Sequence, residues 1–291
     1  MSVASPGADA PSTRDARGVS VASPGADALP DIANFRDAGG LPTDAGVMRE
    51  GVLYRSARLS GLDDDGQDAL LRIGVTDVFD LRTTEEVDQR PDQLPPAITL
   101  TLVNVLADRP HGGAVAVGTI ARSSLDAATV GAINDALGVG RARDLMIDTY
   151  RDFATLPSAL AGFGRVIRGV ANAEGASIIH CTAGKDRSGW VLALMQLAVG
   201  ASSDAVMADY LRSNEAMALA YGSLLEQFGE AGGDAESLAR ILYVEPDYLD
   251  AGFSELRGAF GGLGEYLRGG LKLEDALLDH LRGRLLPPSA R

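Results

Sequence analysis

The feature that most constrains the fold is an alternation of short apolar strands with helices along the first two thirds of the chain. The pattern predicts strands at residues 52–54, 75–81, 98–103 and 177–180, and helices at residues 63–73, 144–156, 159–171 and 190–199. The stretch from residue 204 to residue 284 has an almost wholly helical pattern. This order predicts an α/β fold, with a central, mostly parallel sheet flanked by helices and a helical C-terminal half.

Two segments depart from the alternation. Residues 1–30 are rich in Ala, Ser, Pro, Gly and Asp, and residues 2–10 recur without change as residues 20–28. A polar repeat this short cannot bury a core, so we expect a disordered tail at residues 1–30 and a single domain at residues 31–291. Residues 110–140 are mostly small and lack clear periodicity, which predicts a loop-rich insertion with a short helix.

Charge and cysteine content exclude several classes of function. The formal net charge of −14 disfavours a nucleic-acid partner, because binding to a phosphate backbone depends on clustered Lys and Arg. An acidic surface also repels anionic substrates, so their attraction requires a local basic pocket. A single cysteine permits no intrachain disulfide and no cysteine-rich metal cluster, and it suits a reducing compartment.

The chain carries no membrane or export signal that its pattern reveals. Its apolar runs are shorter than the roughly 20 residues that span a bilayer, and its start lacks the basic and apolar regions of a secretory signal. We therefore expect a cytoplasmic protein without an integral membrane segment. The sequence leaves open both export without a signal peptide and the oligomeric state.

The strongest chemical signal lies where the last predicted strand meets a helix. Cys181 directly follows the strand, and Arg187 comes six residues later, at the mouth of the helix. A strand that turns into a helix through a Gly-bearing loop directs successive N–H groups inward and adds the positive end of the helix, which makes an anion cradle. The predicted phosphate-binding residues are Thr182, Ala183, Gly184, Lys185, Asp186 and Arg187.

A thiol in such a cradle loses its proton readily, and the thiolate is a nucleophile. The guanidinium of Arg187 matches two equatorial phosphoryl oxygens, and the Ser188 hydroxyl is placed to donate to the sulfur. His180, beside the nucleophile, is expected to order the loop in a supporting role. The alternative is that Cys181 is a small buried hydrophobe, but the basic, Gly-bearing loop that follows it favours a phosphocysteine chemistry.

The segment His180-Cys181-x5-Arg187-Ser188 resembles the signature loop of the cysteine-dependent protein tyrosine phosphatases. The fuller string through Gly189 is similar to a narrower bacterial branch, which contains mycobacterial protein tyrosine phosphatase B. Residues 34–37, 54–57, 77–82 and 208–214 also resemble motifs of that branch. The resemblance implies a tyrosine-phosphatase-like fold, activity on phosphotyrosine and often on phosphoinositides, and no metal or other cofactor. The substrates would then be phosphoproteins, with phosphoserine and phosphothreonine also open, or phosphoinositides.

Lys185 and Asp186 distinguish this loop from an ordinary phosphotyrosine loop. One hypothesis pairs Lys185 with the extra phosphates of an inositol ring. The other has Lys185 offset the charge of Asp186 and face solvent.

The proton donor for the leaving group is a separate question. Most tyrosine phosphatases take an aspartate from a Trp-Pro-Asp loop, but the only tryptophan here is Trp190, so that motif is absent. Asp186 is the favoured candidate, and Asp80 is the second, with a structural salt bridge as its alternative role. Asp148 and Asp152 are weaker candidates, because their helical spacing is typical of a solvated face.

Two other functions compete with the phosphatase. A rhodanese-type sulfurtransferase also uses a cysteine in an anion-binding loop, although that loop is usually shorter. An inactive phosphate-binding module would be expected to lack part of the loop, and nothing in residues 180–189 is missing.

Overall fold

A computed structural model describes residue 29 and residues 32–109, 125–138 and 140–288. The expected disordered tail, except for residue 29, lies outside these residues, as does the part of the expected insertion at residues 110–124. The helix expected in that insertion is present in its described part, at Ala127–Leu137.

The strands are short and form two sheets. They are β1 (Arg36–Asp37), β2 (Pro42–Thr43), β3 (Gly46–Val47), β4 (Leu53–Ser56), β5 (Val75–Asp80), β6 (Thr99–Leu102) and β7 (Ala176–His180). The main sheet has the order β1-β4-β7-β5-β6, and only β1 runs antiparallel to its neighbour. The mostly parallel sheet predicted from the sequence is therefore confirmed, and β2 and β3 form a separate hairpin.

The helices occupy most of the rest of the described chain. They are α1 (Asp64–Arg72), α2 (Thr84–Gln89), α3 (Ala127–Leu137), α4 (Arg141–Thr155), α5 (Pro157–Asn172), α6 (Asp186–Ala198), α7 (Ser203–Leu211), α8 (Ser213–Glu230), α9 (Ala235–Leu242), α10 (Pro246–Phe260), α11 (Leu263–Glu265) and α12 (Asp275–Leu285), with a π-helical turn at Tyr266–Gly270. The helical C-terminal half is confirmed. None of the described helices is long and apolar enough to cross a bilayer.

Successive residues of the central strands enter two cores on opposite faces of the sheet. Phe79 and Ile179 belong to the larger core, which α4, α5 and α6 cover, whereas Val78 and Ile178 belong to a smaller core beside α1. Burial on both faces is typical of parallel strands and explains the apolar run that precedes Cys181.

The register of the sheet sets the position of the functional loop. Ser56 of β4, His180 of β7 and Asp80 of β5 lie side by side at the carboxyl ends of three parallel strands. Ligand sites of open α/β sheets form at this edge. The loop after β7 therefore lies between the segments that follow β4 and β5.

Candidate active site

Cys181 lies at the carboxyl end of β7 and is only 2% exposed. Burial raises the pKa of a thiol, but the charge of Arg187, together with the hydroxyl and N–H of Ser188, outweighs burial and lowers the pKa of Cys181 below its ordinary value. Ser188 is fully buried beside the sulfur, and hydrogen bonding from its hydroxyl is one of the effects that lower the pKa. The site thus favours a thiolate.

The backbone carbonyl groups of the loop accept hydrogen bonds from residues outside the loop. Four consecutive carbonyl oxygens accept hydrogen bonds: Thr182 from Arg58 N at 3.3 Å, Ala183 from Asn34 Nδ2 at 3.1 Å, Gly184 from Asn34 Nδ2 at 2.9 Å and Arg55 Nη2 at 2.6 Å, and Lys185 from Arg55 Nη2 at 3.3 Å. In a trans peptide the N–H points away from the C=O. Turning these carbonyls outward therefore turns the next N–H groups toward the anion site.

Gly184 allows the loop to lie close to β4. Its φ is +67°, and a Cβ at this position would overlap the carbonyl group of Ser56. Only glycine meets both requirements, since it tolerates positive φ and has no Cβ. The close approach is what brings the Arg55 guanidinium within reach of the loop carbonyls.

Arg187 is fixed by a residue that the sequence analysis did not single out. Glu86 Oε2 and Oε1 accept from Arg187 Nη1 at 2.6 Å and from Arg187 Nη2 at 2.9 Å, in a bidentate pair. The Thr182 hydroxyl also donates to Glu86. Burial opposes ionisation of both partners, but their mutual attraction lowers the pKa of Glu86 and raises that of Arg187.

A local signal for Glu86 exists in the sequence. Thr83 and Glu86 form a capping box at the start of α2, in which Glu86 Oε2 accepts from Thr83 N at 2.9 Å. The spacing predicts a helix start. The pairing with Arg187 follows only when β5 and β7 lie side by side, which places α2 beside the loop.

Lys185 is buried, with 5% of its surface exposed. Its Nζ donates to Asp186, at 3.0 Å from Oδ1 and 2.7 Å from Oδ2, and to the carbonyl oxygens of Ile241 at 2.9 Å and Tyr243 at 3.4 Å. Lys185 thus offsets the charge of Asp186, as one hypothesis held, but it does not face solvent. Pairing with an inositol phosphate would require Lys185 to exchange these partners.

The two candidate acids have different surroundings. Asp186 lies in the first turn of α6, its side chain is 17% exposed, and its charge raises the pKa of Cys181, which places it near the sulfur. Asp80 has no exposed surface and binds Arg82 through both oxygens, with Nη2 at 2.8 Å from Oδ2 and Nε at 2.9 Å from Oδ1. These contacts favour the structural role for Asp80 and leave Asp186 as the candidate acid.

The two weaker candidates lie on the outer part of α4. Asp148 pairs with Arg151 at 3.0 Å and is 63% exposed, and Asp152 pairs with Arg109 at 3.2 Å and is 33% exposed. The structure therefore agrees with a solvated face for both. The residue of α4 that reaches the loop is Tyr150, whose hydroxyl lies 3.0 Å from Asp186 Oδ1.

Comparison with known proteins is consistent with this loop. A family model described as the tyrosine phosphatase family matches residues 28–287. The chain belongs to the tyrosine phosphatase family. It is 34% identical over 280 residues to the triple specificity protein phosphatase PtpB of Mycobacterium tuberculosis, which covers 89% of this chain and 98% of that protein. It is 30% identical over 267 residues to a Cupriavidus necator protein named "Putative tyrosine-protein phosphatase", which covers 89% of this chain and 88% of that one.

These findings confirm the resemblance inferred from the loop, and this phosphatase is a hydrolase of phosphate monoesters. Three of the motifs that carried the resemblance meet in a buried ionic cluster. Arg36 Nη2 donates to the backbone oxygen of Asp209 at 2.9 Å, and Arg55 Nη1 lies 3.6 Å from Asp209 Oδ2. Gln196 also donates to Asp209 Oδ2, at 3.1 Å. The N-terminal motif, the motif of β4 and the motif of α7 are thereby joined behind the loop of this phosphatase.

A second buried cluster lies on the β5 side of the phosphatase loop. His180 Nε2 lies 2.9 Å from Asp92 Oδ2 and Nδ1 lies 3.8 Å from Asp80 Oδ1. Ligand atoms of these three residues lie within 4.8 Å of one another, which is close enough to consider a metal ion. Arg82 Nη2, however, already lies 2.8 Å from Asp80 and 3.0 Å from Asp92. Because the guanidinium supplies the positive charge, these residues form an ionic cluster that does not fit a metal.

Proposed function

We propose that this tyrosine phosphatase hydrolyses phosphotyrosine through a covalent phosphocysteine on Cys181. The thiolate attacks phosphorus, the S–P bond forms, and the P–O bond to the tyrosine oxygen breaks. Asp186 donates its proton to the departing oxygen. In the second step, water attacks phosphorus with Asp186 as the base, the S–P bond breaks, and Cys181 leaves as a thiolate beside Ser188.

The observation that carries this proposal is the environment of Cys181. A buried sulfur with a lowered pKa faces Arg187, in a loop whose carbonyl groups are bound outward. Positive groups fixed in advance stabilise charge that develops on the phosphoryl oxygens. Within the described residues, Arg187 uses Nη1 and Nη2 to bind Glu86 and the backbone oxygen of Leu81, which leaves its Nε for the substrate.

Substrate range is the finer part of the proposal. We propose that the phosphatase also accepts phosphoserine, phosphothreonine and phosphoinositide monoesters. The support is that one relative bears the name triple specificity protein phosphatase, and that Lys185 adds a second cation to the loop. The sulfurtransferase alternative loses support, because the matching family is one of phosphatases.

One experiment tests both levels of the proposal. The wild type and Cys181→Ser are compared on a phosphotyrosine peptide, a phosphoserine peptide and phosphatidylinositol phosphates in vesicles, all with chelator present. We expect the wild type to release phosphate and Cys181→Ser to lose about 10³-fold or more. Binding without turnover by the wild type would support an inactive module, and absence of release from every lipid would remove the phosphoinositide part alone.

We also propose the extent of the phosphatase domain and its cellular location, each from a single argument. A match over residues 28–287 supports a single phosphatase domain at residues 31–291. A nucleophilic cysteine must remain reduced, which supports action in the cytoplasm. Limited proteolysis tests the first, and fractionation of cells with antibody detection tests the second.

A further inference from the structure

The hydroxyl of Tyr150 forms a short relay behind the loop. It lies 3.0 Å from Asp186 Oδ1 and 2.7 Å from the hydroxyl of Tyr210. A hydroxyl has one proton to donate, and a carboxylate oxygen can only accept. Tyr150 therefore donates to Asp186, and Tyr210 donates to Tyr150, so the relay ends on a single carboxylate oxygen.

Both tyrosines are neutral donors. Burial, followed by the charge of Asp186, raises the pKa of Tyr150 and of Tyr210 well above the ordinary value. Neither hydroxyl releases its proton under conditions in which a phosphatase works. Tyr150 is thus suited to orient Asp186 and unsuited to replace it as the acid.

Within the described residues, the Tyr150 hydroxyl forms a hydrogen bond with one oxygen of Asp186 and not with the other. Lys185 Nζ contacts both, at 3.0 Å from Oδ1 and 2.7 Å from Oδ2, whereas the Tyr150 hydroxyl contacts Oδ1. When the carboxyl group is neutral, one oxygen carries the proton and the other accepts. A donor fixed at Oδ1 makes that oxygen the acceptor and leaves the proton on Oδ2.

The Tyr150 ring is held firmly enough to fix this choice. It is completely buried and lies against three other aromatic rings, with centroid distances of 5.1 Å to Phe153, 6.1 Å to Tyr248 and 6.2 Å to Tyr210. Phe153 shares α4 with Tyr150, while Tyr210 belongs to α7 and Tyr248 to α10. The hydroxyl is therefore positioned by three helices, and its direction does not depend on the substrate.

We propose that Tyr150, supported by Tyr210, is a positioning residue that fixes which oxygen of Asp186 carries the transferable proton and aims it at the leaving group. The inference rests on the proposed role of Asp186 as the general acid. Within the described residues, the Tyr150 hydroxyl forms hydrogen bonds with Asp186 and Tyr210, so it acts through Asp186. Its effect should therefore appear in kcat for esters whose departure needs protonation, with KM unchanged.

The test uses aryl phosphates with poor and good leaving groups. For Tyr150→Phe we expect kcat to fall about 10- to 100-fold with a poor leaving group such as tyrosine, and less than about threefold with nitrophenolate. Tyr210→Phe, which keeps the donor to Asp186, should give a smaller loss of the same pattern. If Tyr150→Phe does not fold, Tyr210→Phe tests the inference in its place.

The matched control is Tyr266→Phe. The Tyr266 hydroxyl is buried and donates to the backbone oxygen of Phe153 at 3.4 Å, on the same helix α4, so its removal deletes an equivalent group without touching Asp186. We expect kcat on both substrates to stay within about twofold of the wild type. A leaving-group dependence in Tyr266→Phe as large as that in Tyr150→Phe would overturn the inference.

Asp186→Asn separates failure of this inference from failure of the proposed acid. If Asp186→Asn slows both substrates equally, the acid role is wrong and the inference falls with it. If Asp186→Asn slows the poor substrate selectively while Tyr150→Phe does not, only the positioning role is overturned. The double variant should be no slower than Asp186→Asn, because a residue that acts through Asp186 has no effect without it, and additive losses would contradict the inference.

Discussion

The two buried ionic clusters beside the loop differ in their balance of charge. The histidine cluster, formed by Asp80, Arg82, Asp92 and His180, sets two carboxylates against one guanidinium and one imidazole. It is neutral when His180 is protonated. The arginine cluster, formed by Arg36, Arg55 and Asp209, sets two guanidinium groups against one carboxylate.

The surplus charge of the arginine cluster is visible in its pKa values. Burial, followed by the charge of Arg55, lowers the pKa of Arg36 to about 9, and burial also lowers that of Arg55. The charges of Asp209 and, less strongly, of the Cys181 thiolate act in the opposite direction and partly offset this lowering of the Arg55 pKa, so sulfur and guanidinium stabilise each other. This difference shows how a chain with a net charge of −14 forms a basic site. The histidine cluster supports the loop without net charge, whereas the arginine cluster supplies positive charge beneath the loop.

The largest predicted effect comes from removing the single anion of the arginine cluster. Asp209→Asn keeps the side-chain shape and leaves two buried guanidinium groups without a counter-charge, so we expect the free energy of unfolding to fall by about 3–5 kcal/mol. Urea titration at neutral pH measures this. A loss below about 1 kcal/mol would show that Asp209 is not needed to balance the cluster.

The pH dependence of that loss has a definite sign. The pKa of Asp209 is lowered in the folded state, because Arg55 and Arg36 outweigh burial. Its contribution is therefore present above the unfolded-state pKa of about 3.9 and lost as pH falls through the folded-state value. The stability difference between the wild type and Asp209→Asn should shrink only in that acid range.

An intermediate effect is expected at Glu86, which anchors Arg187 on the side of the histidine cluster. Glu86→Gln preserves the capping box, since Gln serves at that helix position, but it weakens the bidentate pair with Arg187. We expect kcat/KM to fall about 10- to 100-fold, because a misplaced catalytic group is costly even when the shift is small. Steady-state kinetics and urea unfolding on the same preparation measure activity and stability separately.

Thr83→Ala is the matched control for Glu86→Gln. It removes the hydroxyl that accepts from Glu86 N at 3.3 Å and leaves the Glu86 carboxylate in place. We expect the free energy of unfolding to fall by about 0.5–2 kcal/mol, as for loss of an N-cap, with kcat/KM nearly unchanged. Equal losses of activity in both variants would mean that Glu86 acts through the helix and not through Arg187.

The loop itself could be predicted because its parts are contiguous. A strand, Cys181, Gly184, Arg187 and a helix follow one another in the sequence, and the local geometry of a strand-to-helix turn determines what they do. The partners of the loop come from distant segments. Glu86 and Arg55 reach it because β4, β5 and β7 are neighbours in register, and the local pattern of the sequence does not reveal which strands pair.

The strands and the helix that the sequence pattern did not predict are too short to show a periodic arrangement of apolar residues. Strands β1 to β3 have two residues each and α2 has six, so neither alternation nor a helical repeat can develop in them.

Tyr150 was also not singled out from the sequence, although the helical pattern around it indicates its position. Met146, Tyr150 and Phe153 mark the buried face of α4, whereas Asp148 and Asp152, the acids considered from that helix, lie on its solvated side.

The smallest predicted effect tests the histidine cluster. Burial lowers the pKa of His180, but the pairing with Asp92 and the charge of Asp80 more than offset burial and raise it above the ordinary value. A group with a raised folded-state pKa contributes stability that is full below the unfolded-state pKa of about 6.5 and lost as pH rises through the folded-state pKa. His180→Gln should therefore cost about 1 kcal/mol near pH 6 and progressively less in alkaline buffer.

The stability contributions of the two clusters are therefore expected to depend on pH in opposite directions, and measuring both dependences tests the difference between the clusters most directly. The stability deficit of His180→Gln should shrink toward alkaline pH, and that of Asp209→Asn toward acid pH. Urea unfolding of both variants and the wild type at several pH values between about 3 and 9 measures the two curves. A deficit of His180→Gln that does not change with pH would mean that the imidazole is neutral in the fold. The histidine cluster would then carry a net negative charge beside the loop, and the arginine cluster would have to offset it.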